Sequence, residues 1–402
     1  MWVRKQIDIR WRDLTYGFAH CLLPGSSKHA QSQLEQQWAG GDQSLACLSV
    51  RTGWDLFLSA INWPPGSEVL MSAVTIPDMV RVLEAHDFVA VPLDLDPQTA
   101  FPTPDSIRKR STPRTKAVLL APLFGSFIPI DEHLAVAREI KLQLILDCAQ
   151  AYRGAAFHGD PRCDVSMFSF GPIKSATALG GALLHVRDPH VLARMREFQS
   201  TYPLQSRRSF AIRVAKYAGI KLLSTRLGLR ALFALAQLLG RDPDNWLNAA
   251  ARGFPASELL HALRRQPAYP LLRLLSRRLN RDDEQRRKAR SHAGQLLAKQ
   301  LASNCECPTT NIPEHTFWVF PILVDDPTTV RAHLRAAGFD SSHAHSLRVI
   351  SPPAGDDRTA PVAEDFVRRL IFLPLDERMP VREQQQMADV VIQAVGGVSP
   401  PN

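Results

Sequence analysis

Between residue 46 and about residue 185, apolar and polar positions follow two patterns in turn. Segments with apolar residues at helical spacing indicate helices, and short continuous apolar runs indicate buried strands. The helical segments are WDLFLSAINW, DMVRVLEAHD and DEHLAVAREI, and the strand-like runs are SEVLMSAVTI, FVAVPLDLD, KAVLLAPLF and LQLILDCAQ. Strands that alternate with helices predict an α/β fold with a mostly parallel sheet covered on both faces. Ligands of such sheets bind beyond the carboxyl ends of the strands.

After residue 200 the pattern becomes helical and basic. No acidic residue occurs between Glu197 and Asp242, and cations alternate with Leu, Ile, Phe and Val from residue 207 to 239. A second basic helical stretch, LLRLLSRRLNRDDEQRRKARSHAGQLLAKQL, follows, and α/β character returns in HTFWVFPILV, PTTVRAHLRAAGF and RRLIFLPL. We predict four parts: an N-terminal segment (1–45), a large domain (46–200), a basic helical insertion (201–290) and a small C-terminal domain (291–402).

Composition narrows the classes of protein to be considered. The 402 residues are 45% apolar, and 48 Lys and Arg against 39 Asp and Glu give a net charge of +9. This balance favours anionic partners, although the few aromatics in the basic stretch argue against nucleic acid. The six cysteines form no CxxC pair, the charged start lacks a signal-peptide core, and no uncharged apolar run reaches ~18 residues. We therefore expect a reduced, cytoplasmic protein. The His343 and His345 pair has too few neighbouring ligands to predict a metal site.

Lys174 lies in DVSMFSFGPIKSATALGGALL, residues 164–184, a segment otherwise neutral apart from its first residue. An apolar stretch and a Gly-Pro turn precede it, and small residues and two glycines follow. A lysine in this setting is poorly solvated, which lowers its pKa and makes the amine a usable nucleophile and base. The alternative is an ordinary lysine at a strand end, with its ammonium group reaching water.

Two further segments carry polar groups at strand or helix ends. Asp147 ends the buried run ILD, where a carboxylate needs a cation or hydrogen-bond donors, and a protonated heterocyclic nitrogen would serve. Gln150 offers an amide to a ring substituent, and Ser169 precedes Lys174 by five residues. The segment LSVRTGWDL predicts a turn that leads into a helix. Backbone N–H groups at a helix N-terminus favour a phosphate, and Arg51 adds a cation there. Capping or surface roles are the alternative for each residue taken singly.

Together these features follow the order found in pyridoxal-phosphate enzymes of the aspartate-aminotransferase fold. The chain resembles the DegT/StrS-type family of pyridoxal-phosphate aminotransferases, as a divergent member. The resemblance rests on the ordered D-x-A-Q and S-F-x-x-x-K motifs. It extends over SVRTGWDLFLSAINWPPGSEVL, VPLDLDPQTA, TKAVLLAPLFGSFIPID, LILDCAQAY and PVAEDFVRRLIFLPLDERMPVREQQQMADVV. It implies pyridoxal 5′-phosphate as cofactor and the PLP-dependent transferase fold type I, with residues 46–200 as the cofactor-binding domain.

The resemblance also implies roles for individual residues. Lys174 matches the lysine that forms the Schiff base with the cofactor and shuttles the proton, and Asp147 matches the carboxylate that keeps the ring nitrogen protonated. Gln150 matches the residue near the phenolic oxygen, and Ser169 matches a phosphate ligand. The phosphate-cradling turn of the family matches Arg51, Thr52 and Gly53.

This sequence departs from the family pattern at several places. Arg51 is a variant at the first cradle position, and Ile76 stands near the position of the aromatic residue that usually stacks on the ring. The asparagine-bearing segment by which a partner subunit completes the phosphate site is not recognisable. The segment LRRQPAYP occupies the place of that segment, and Arg265 is the candidate for the residue that completes the phosphate site. The basic insertion is also longer than the usual connection.

The resulting hypothesis is transamination by a ping-pong mechanism, from an amino-acid donor such as glutamate to a keto group of a sugar nucleotide or another biosynthetic intermediate. One alternative is a non-transaminating, dehydratase-like relative, which commonly replaces the lysine with histidine. Another is a membrane-associated protein that binds the cofactor without turnover. The resemblance implies a homodimer. Residues 207–239 suggest peripheral membrane contact through a basic amphipathic helix, with packing of its apolar face on the protein's own core as the alternative.

Overall fold

The structure, a computed structural model, describes residues 2, 7–39, 41–223, 258–281, 283–344 and 346–396. A central sheet contains seven strands in the spatial order β1-β8-β7-β6-β5-β2-β4. Its strands are β1 (Ser44–Cys47), β2 (Glu68–Ser72), β4 (Val89–Leu93), β5 (Thr115–Leu120), β6 (Gln143–Asp147), β7 (Val165–Ser169) and β8 (Ala182–Val186). Neighbouring strands are parallel except that β8 is antiparallel to both β1 and β7. The prediction of a mostly parallel α/β fold is confirmed.

Fourteen helices are assigned within the described ranges. They are α1 (Trp11–Leu22), α2 (Ser27–Ala39), α3 (Val50–Ala60), α4 (Pro77–Glu84), α5 (Pro104–Arg110), α6 (Asp131–Glu139), α7 (Pro189–Thr201), α8 (Arg207–Leu223), α9 (Leu259–Leu263), α10 (Tyr269–Leu279), α11 (Glu284–Leu301), α12 (Pro327–Ala336), α13 (Pro361–Arg369) and α14 (Val381–Val395). Several begin with the expected signals: Asp188 and Asp326 each accept hydrogen bonds from backbone N–H groups, and a proline follows each.

Helices cover both faces of the central sheet, which explains why its strands are nearly continuous apolar runs. On one face, Leu120 and Leu146 pack in a cluster with side chains of α1, α2, α5, α6, α8 and α10. On the other face, Leu119 and Ile145 pack with side chains of α3, α4, α7 and α9. The alternation of neighbouring residues between the two clusters follows the two-residue period of a strand.

The described part of the basic insertion contributes to this core. Phe210, Val214 and Tyr217 of α8 are buried in the first cluster, whereas Ile212 and Leu222 are 61% and 62% exposed. The apolar residues of α8 are therefore divided between the core and the surface. Residues 224–239 of the predicted membrane-contacting stretch lie outside the described residues.

The second basic stretch consists of two helices, α10 and α11. Asp283, between them, accepts a hydrogen bond from the backbone N–H of Arg286 at 3.1 Å and so caps α11. Backbone N–H groups in the first turn of a helix have no carbonyl acceptor within that helix, and the aspartate side chain supplies one. Asp283 therefore favours the start of a new helix over continuation of α10.

A smaller antiparallel sheet follows, in the order β10 (Ser342–His343), β12 (Leu370–Leu373) and β9 (Phe320–Leu323). Its core includes residues of α11, α12 and α14. A two-stranded ladder joins β3 (Val74–Thr75) to β11 (Arg348–Val349), and thus connects the C-terminal region to the segment after β2.

Candidate active site at the carboxyl edge of the central sheet

The motif residues meet at one edge of the central sheet. Asp147 is the last residue of β6 and Ser169 the last of β7, and these strands are parallel neighbours. Strand β1, which leads into the helix carrying Arg51, has the same direction because both β1 and β7 are antiparallel to β8. Parallel strands place their carboxyl ends at the same edge, so three separate motifs converge there.

Lys174 lies in the loop after β7, and its backbone N–H donates to the Gly171 carbonyl at 3.0 Å. Its Nζ lies 4.3 Å from the centre of the Trp318 ring, whose indole N–H donates to the Ile173 carbonyl at 3.0 Å. Burial lowers the pKa of Lys174 to about 8; Asp147 opposes this shift and Arg51 adds to it. Lys174 is half-buried, so the lysine is partly removed from water, in line with its sequence setting.

Asp147 is held at the strand end by a hydrogen bond from the Ala149 backbone N–H at 2.9 Å. Burial raises the pKa of Asp147, although that hydrogen bond and the nearby Lys174 cation both lower it. Gln150 lies beside it and accepts a hydrogen bond from the Phe124 backbone N–H at 3.0 Å through its Oε1. With its oxygen engaged in this way, the side chain of Gln150 still has an NH₂ group that can act as a donor.

The first turn of α3 carries Thr52 and Gly53. Ser49 caps this helix and accepts from the Thr52 N–H at 3.1 Å, and the Thr52 hydroxyl donates to the Leu263 carbonyl at 2.9 Å. A Cβ added at Gly53 would lie 2.6 Å from Leu184, so only glycine allows α3 to pack this closely on β8. Both residues thus position the helix N-terminus, and their own backbone N–H groups donate to Ser49, that of Gly53 to the Ser49 carbonyl at 3.0 Å.

Three cations lie near this helix end. Arg51 forms an ion pair with Asp78 of α4, and its charge lowers the pKa of both Lys174 and Arg213. Arg213 donates from Nη1 to the Leu179 carbonyl at 3.3 Å, in the loop that continues from Lys174. Lys174 itself is the third cation. This concentration of positive charge suits an anion.

The sequence did not single out Trp318, Asp78 or Arg213 as site residues. Trp318 precedes β9, and its place above Lys174 depends on how the smaller sheet packs on the larger. Arg213 was one of several cations in the basic insertion, with no local signal to distinguish it. Asp78 follows a helix-starting proline, a pattern that indicates only a helix N-terminus.

The structure places the two remaining predicted residues, Ile76 and Arg265, in segments that flank helices. Ile76 precedes the first residue of α4 and packs half-buried against two core clusters. Arg265 follows α9, and its backbone N–H donates to the Leu263 carbonyl at 2.8 Å. The same carbonyl accepts the Thr52 hydroxyl, so the segment that carries Arg265 lies against Thr52 of its own chain. Its neighbour Arg264 is engaged elsewhere, pairing with the buried Asp55 at 2.9 Å.

In the described part of the chain, no group of three or more metal-binding side chains occurs.

A titration of the apoprotein tests the environment of Lys174. We expect its amine to react with an added aldehyde or acylating reagent at a rate that rises with pH to a plateau, with a midpoint near pH 8. The rate rises because only the unprotonated amine is a nucleophile, and burial favours that form. Mass spectrometry of peptides from the labelled protein would assign the rate to Lys174. A midpoint above pH 10 would contradict the buried environment.

Comparison with curated proteins gives a partial match. Protein MosB of Rhizobium meliloti is 29% identical over 167 residues, which make up 40% of this chain and 32% of MosB. The chain therefore matches about a third of the length of this relative.

Solved structures match over nearly the whole chain. An aminotransferase, TlmJ from Streptoalloteichus hindustanus, is 17% identical, with 99% of each chain covered and a TM-score of 0.71. The sugar aminotransferase CalS13 from Micromonospora echinospora is 17% identical, with 98% of this chain and 100% of that chain covered and a TM-score of 0.69. NtdA from Bacillus subtilis, with bound cofactor PMP, is 17% identical, with coverage of 98% and 86% and a TM-score of 0.64. These likenesses establish the fold.

A family model described as the DegT/DnrJ/EryC1/StrS aminotransferase family matches residues 29–239, which span α3 through β8 and the first part of the basic insertion. The resemblance inferred from the D-x-A-Q and S-F-x-x-x-K motifs is thereby confirmed. Because the match covers more than half of the 402 residues, the chain belongs to the DegT/DnrJ/EryC1/StrS aminotransferase family.

Proposed function

We propose that this protein is a pyridoxal-phosphate-dependent aminotransferase. It would transfer an amino group from an amino-acid donor, glutamate in the first instance, to a keto group of a sugar nucleotide or another biosynthetic intermediate. One observation carries the proposal: a half-buried lysine, whose pKa burial lowers to about 8, lies in the loop after β7 and close to the carboxylate that ends the neighbouring parallel strand β6. This pairing supplies a nucleophile and a partner for a protonated ring nitrogen.

The residues at the sheet edge fit pyridoxal 5′-phosphate. The N-terminus of α3, Ser169 and the cations Arg51 and Arg213 suit its phosphate, since backbone N–H groups and guanidiniums both bind phosphate oxygens. Asp147 suits the ring nitrogen, because burial raises the pKa of this carboxyl group and a protonated ring nitrogen would favour its charged form. Gln150 suits the phenolic oxygen through its NH₂ group, and Ile76 is the proposed apolar cover for a ring face.

When bound, the cofactor supplies an electron sink for negative charge at the substrate's α-carbon. Asp147 holds a proton on the ring nitrogen and so maintains that sink. Lys174 would hold the cofactor through its amine and, when that amine is free, would take a proton from the substrate's α-carbon as a general base. A lysine pKa near 8 suits this work, because a useful fraction of the amine is unprotonated near neutral pH.

The family match supports transamination, and the likeness to the sugar aminotransferase CalS13 supports a sugar-derived acceptor. The NtdA structure, with its bound PMP, supports the cofactor. The presence of Lys174 argues against the dehydratase-like alternative, in which the resemblance would lead us to expect a different residue at this position.

A half-reaction without acceptor tests the proposal. Protein loaded with pyridoxal phosphate and mixed with glutamate should lose its visible absorption and release one 2-oxoglutarate per active site, because a ping-pong enzyme completes its first half before the acceptor binds. Alanine and glutamine as parallel donors would identify donor preference. A loaded protein that releases no keto acid from any of the twenty common amino acids would contradict the proposal.

We also propose a two-fold symmetric homodimer, because the resemblance implies an active site built between two subunits. The exposed apolar side chain of Ile173, 46% accessible and directly before Lys174, supports an interface beside the site. Light scattering combined with activity measurement is the test. A monomer with full activity at the same concentration would exclude this assembly.

A peripheral membrane contact is a separate proposal. In the described parts of the chain no helix is long and apolar enough to span a membrane. The contacting helices α1 and α8 nevertheless expose Trp11, Phe18, Leu22, Ile212 and Leu222, and α8 also exposes Arg208 and Lys216 and contains no acidic residue. Such a surface suits anionic headgroups over an apolar layer.

Flotation of cofactor-loaded protein with anionic vesicles tests this surface. We expect co-flotation at low salt, weaker binding at high salt, and loss of binding in an Ile212→Ser/Leu222→Ser variant, since salt screens the cations and the serines remove apolar contact. No co-flotation of folded protein at low salt would leave the surface as a protein contact only.

A further inference from the structure

The loop that carries Lys174 contains two residues in a backbone conformation that side chains disfavour. We call residues 170–181, between β7 and β8, the lysine loop. Within it, Ala176 has a φ of +52° and Leu179 a φ of +63°. Such left-handed conformations cost free energy in residues other than glycine, because Cβ approaches the backbone too closely, and they persist only where surrounding contacts enforce them. The contacts that enforce them here also bear on the position of Lys174.

The second half of the lysine loop is held by hydrogen bonds within the loop itself. The Phe170 carbonyl accepts from the Ala178 backbone N–H at 3.1 Å and from the buried Thr177 hydroxyl at 3.1 Å. The same hydroxyl accepts the Leu179 N–H at 2.9 Å. These bonds explain how Leu179 is kept in its left-handed conformation, and they do not involve the N–H of Ala176.

The N–H of Ala176 donates to a residue far away in the chain. Its acceptor is Oδ2 of Asp8, 168 residues away in the segment before α1, at 2.7 Å. Burial raises the pKa of Asp8, but Arg286, Arg278 and this N–H outweigh burial, so that pKa lies below its ordinary value. Asp8 is therefore charged at neutral pH, and a hydrogen bond to a charged acceptor is roughly twice as strong as a neutral one.

Two helices fix Asp8 in place. Arg278 of α10 donates from Nη2 to the Asp8 backbone carbonyl at 2.6 Å and from Nε to the Thr177 carbonyl at 3.1 Å. Arg286 of α11 pairs with the Asp8 carboxylate and also with Glu377. Because the carboxylate is held from α10 and α11, it is a fixed acceptor to which the lysine loop is attached.

Lys174 lies between two peptide groups that distant side chains hold. On one side, the Ile173 carbonyl accepts the Trp318 indole N–H at 3.0 Å. On the other side, the Ala176 N–H donates to Asp8. The first contact comes from the segment before the smaller sheet and the second from the segment before α1, so the backbone at Lys174 is fixed from both directions.

We propose that Asp8 is a positioning residue for Lys174. Its carboxylate holds the Ala176 peptide group in the left-handed conformation and so fixes where the lysine amine lies at the carboxyl edge of the central sheet. Asp8 acts through the lysine loop, since its bond is to the backbone two residues after the lysine. Misplacement of a reacting group by about 1 Å can slow a reaction 10²-fold. The consequence for amino transfer rests on the proposed function, whereas the attachment of the loop to Asp8 does not.

Hydrogen exchange of the apoprotein tests the attachment without any catalysis. In Asp8→Ala, the Ala176 amide should exchange at least about tenfold faster than in the unchanged protein, because its charged acceptor is gone. The matched control is Glu377→Gln, which removes another negative charge from Arg286. Glu377 takes part in none of the hydrogen bonds described for the lysine loop, so in this variant the exchange rate should change less than twofold.

A glycine at position 176 distinguishes positioning from a purely structural role. In cofactor-loaded protein, Asp8→Ala should slow the glutamate half-reaction at least about tenfold. The double variant Asp8→Ala/Ala176→Gly should recover the rate to within about threefold of the unchanged protein, because glycine adopts a positive φ without the steric cost. Exchange of the amide at residue 176 should remain fast in the double variant, since its acceptor is still missing. A role of Asp8 in overall stability alone would give no such recovery.

Asp8→Asn is the second variant, for use if Asp8→Ala does not fold. It keeps an oxygen acceptor but loses the charge, so its amide exchange and its half-reaction rate should fall between those of the unchanged protein and those expected for Asp8→Ala. Adding Ala176→Gly to it should likewise restore the rate.

The outcomes separate this proposal from the proposed function. Unchanged exchange of the Ala176 amide in the Asp8 variants, equal losses in Asp8→Ala and Glu377→Gln, or no recovery with Ala176→Gly would each overturn Asp8 as a positioning residue. Faster exchange in Asp8→Ala, in a protein that releases no keto acid from any amino-acid donor, would contradict only the proposed function.

Discussion

Replacement of Lys174 by alanine is expected to slow the glutamate half-reaction by at least about 10⁴-fold. The variant loses both the nucleophilic amine and the general base, and general acid–base catalysis alone commonly contributes 10²–10⁴-fold. Single-turnover absorbance and quantification of released 2-oxoglutarate measure the rate. The cofactor should still bind through its phosphate contacts, but the visible absorption due to its covalent bond with Lys174 should be absent.

Two further variants distinguish a chemical role from a structural one. Lys174→Arg keeps a cation over the Trp318 ring yet offers no unprotonated amine at neutral pH, so its rate should fall as far as that of the alanine variant. Lys109→Ala, which removes an exposed lysine paired with Asp105, should leave the rate within twofold. Release of 2-oxoglutarate by Lys174→Ala at the unchanged rate would remove Lys174 from the mechanism.

Replacement of Asp147 by asparagine is expected to slow the same half-reaction by about 10²-fold or more while cofactor affinity changes far less. An opposite charge within ~4–6 Å shifts a pKa by about 1–3 units, so loss of this carboxylate lowers the proton affinity of the ring nitrogen on that scale. Without that proton the α-carbon is a much weaker acid. The measurement is the single-turnover rate together with the dissociation constant of the cofactor.

The pH dependence of the half-reaction rate distinguishes the effect of Asp147→Asn on the ring nitrogen from a structural effect. Its rate deficit should shrink as pH falls, because solvent then protonates the ring nitrogen that Asp147 otherwise keeps protonated. Asp147→Glu retains the negative charge and should recover part of the lost rate. A constant deficit across pH, with no recovery in the glutamate variant, would indicate that the residue acts only by supporting the end of β6.

Much of the architecture follows from local sequence patterns. The buried runs that end at Asp147 and precede Lys174 are strands β6 and β7, because continuous apolar segments bounded by turns form strands of a sheet covered on both faces. The amphipathic segment after Ser49 is a capped helix for an equally local reason. Parallel order then brings these ends together, so the sequence already indicated where Lys174 and Asp147 would meet.

The sequence left open whether the apolar side chains of the basic region face a membrane or the protein's own core. An apolar stripe among cations is compatible with a membrane surface or a protein core, because both bury apolar area. Packing decided the matter for Phe210, Val214 and Tyr217, which are buried in the core cluster that α8 shares with α1 and α10, and left Ile212 and Leu222 exposed. Only the positions of α1 and α10 beside α8 determine that division.

The sequence by itself determined the order of strands and helices, the family, and the lysine and carboxylate that the proposed chemistry needs. Those features depend on periodicity and on residues close together in the chain. The tertiary structure alone placed Trp318 beside the Lys174 loop, where its bonded partner Ile173 is 145 residues away, and brought Arg286 to Asp8 across 278 residues. Such contacts have no local signature, because they arise from the way that distant helices and sheets pack against one another.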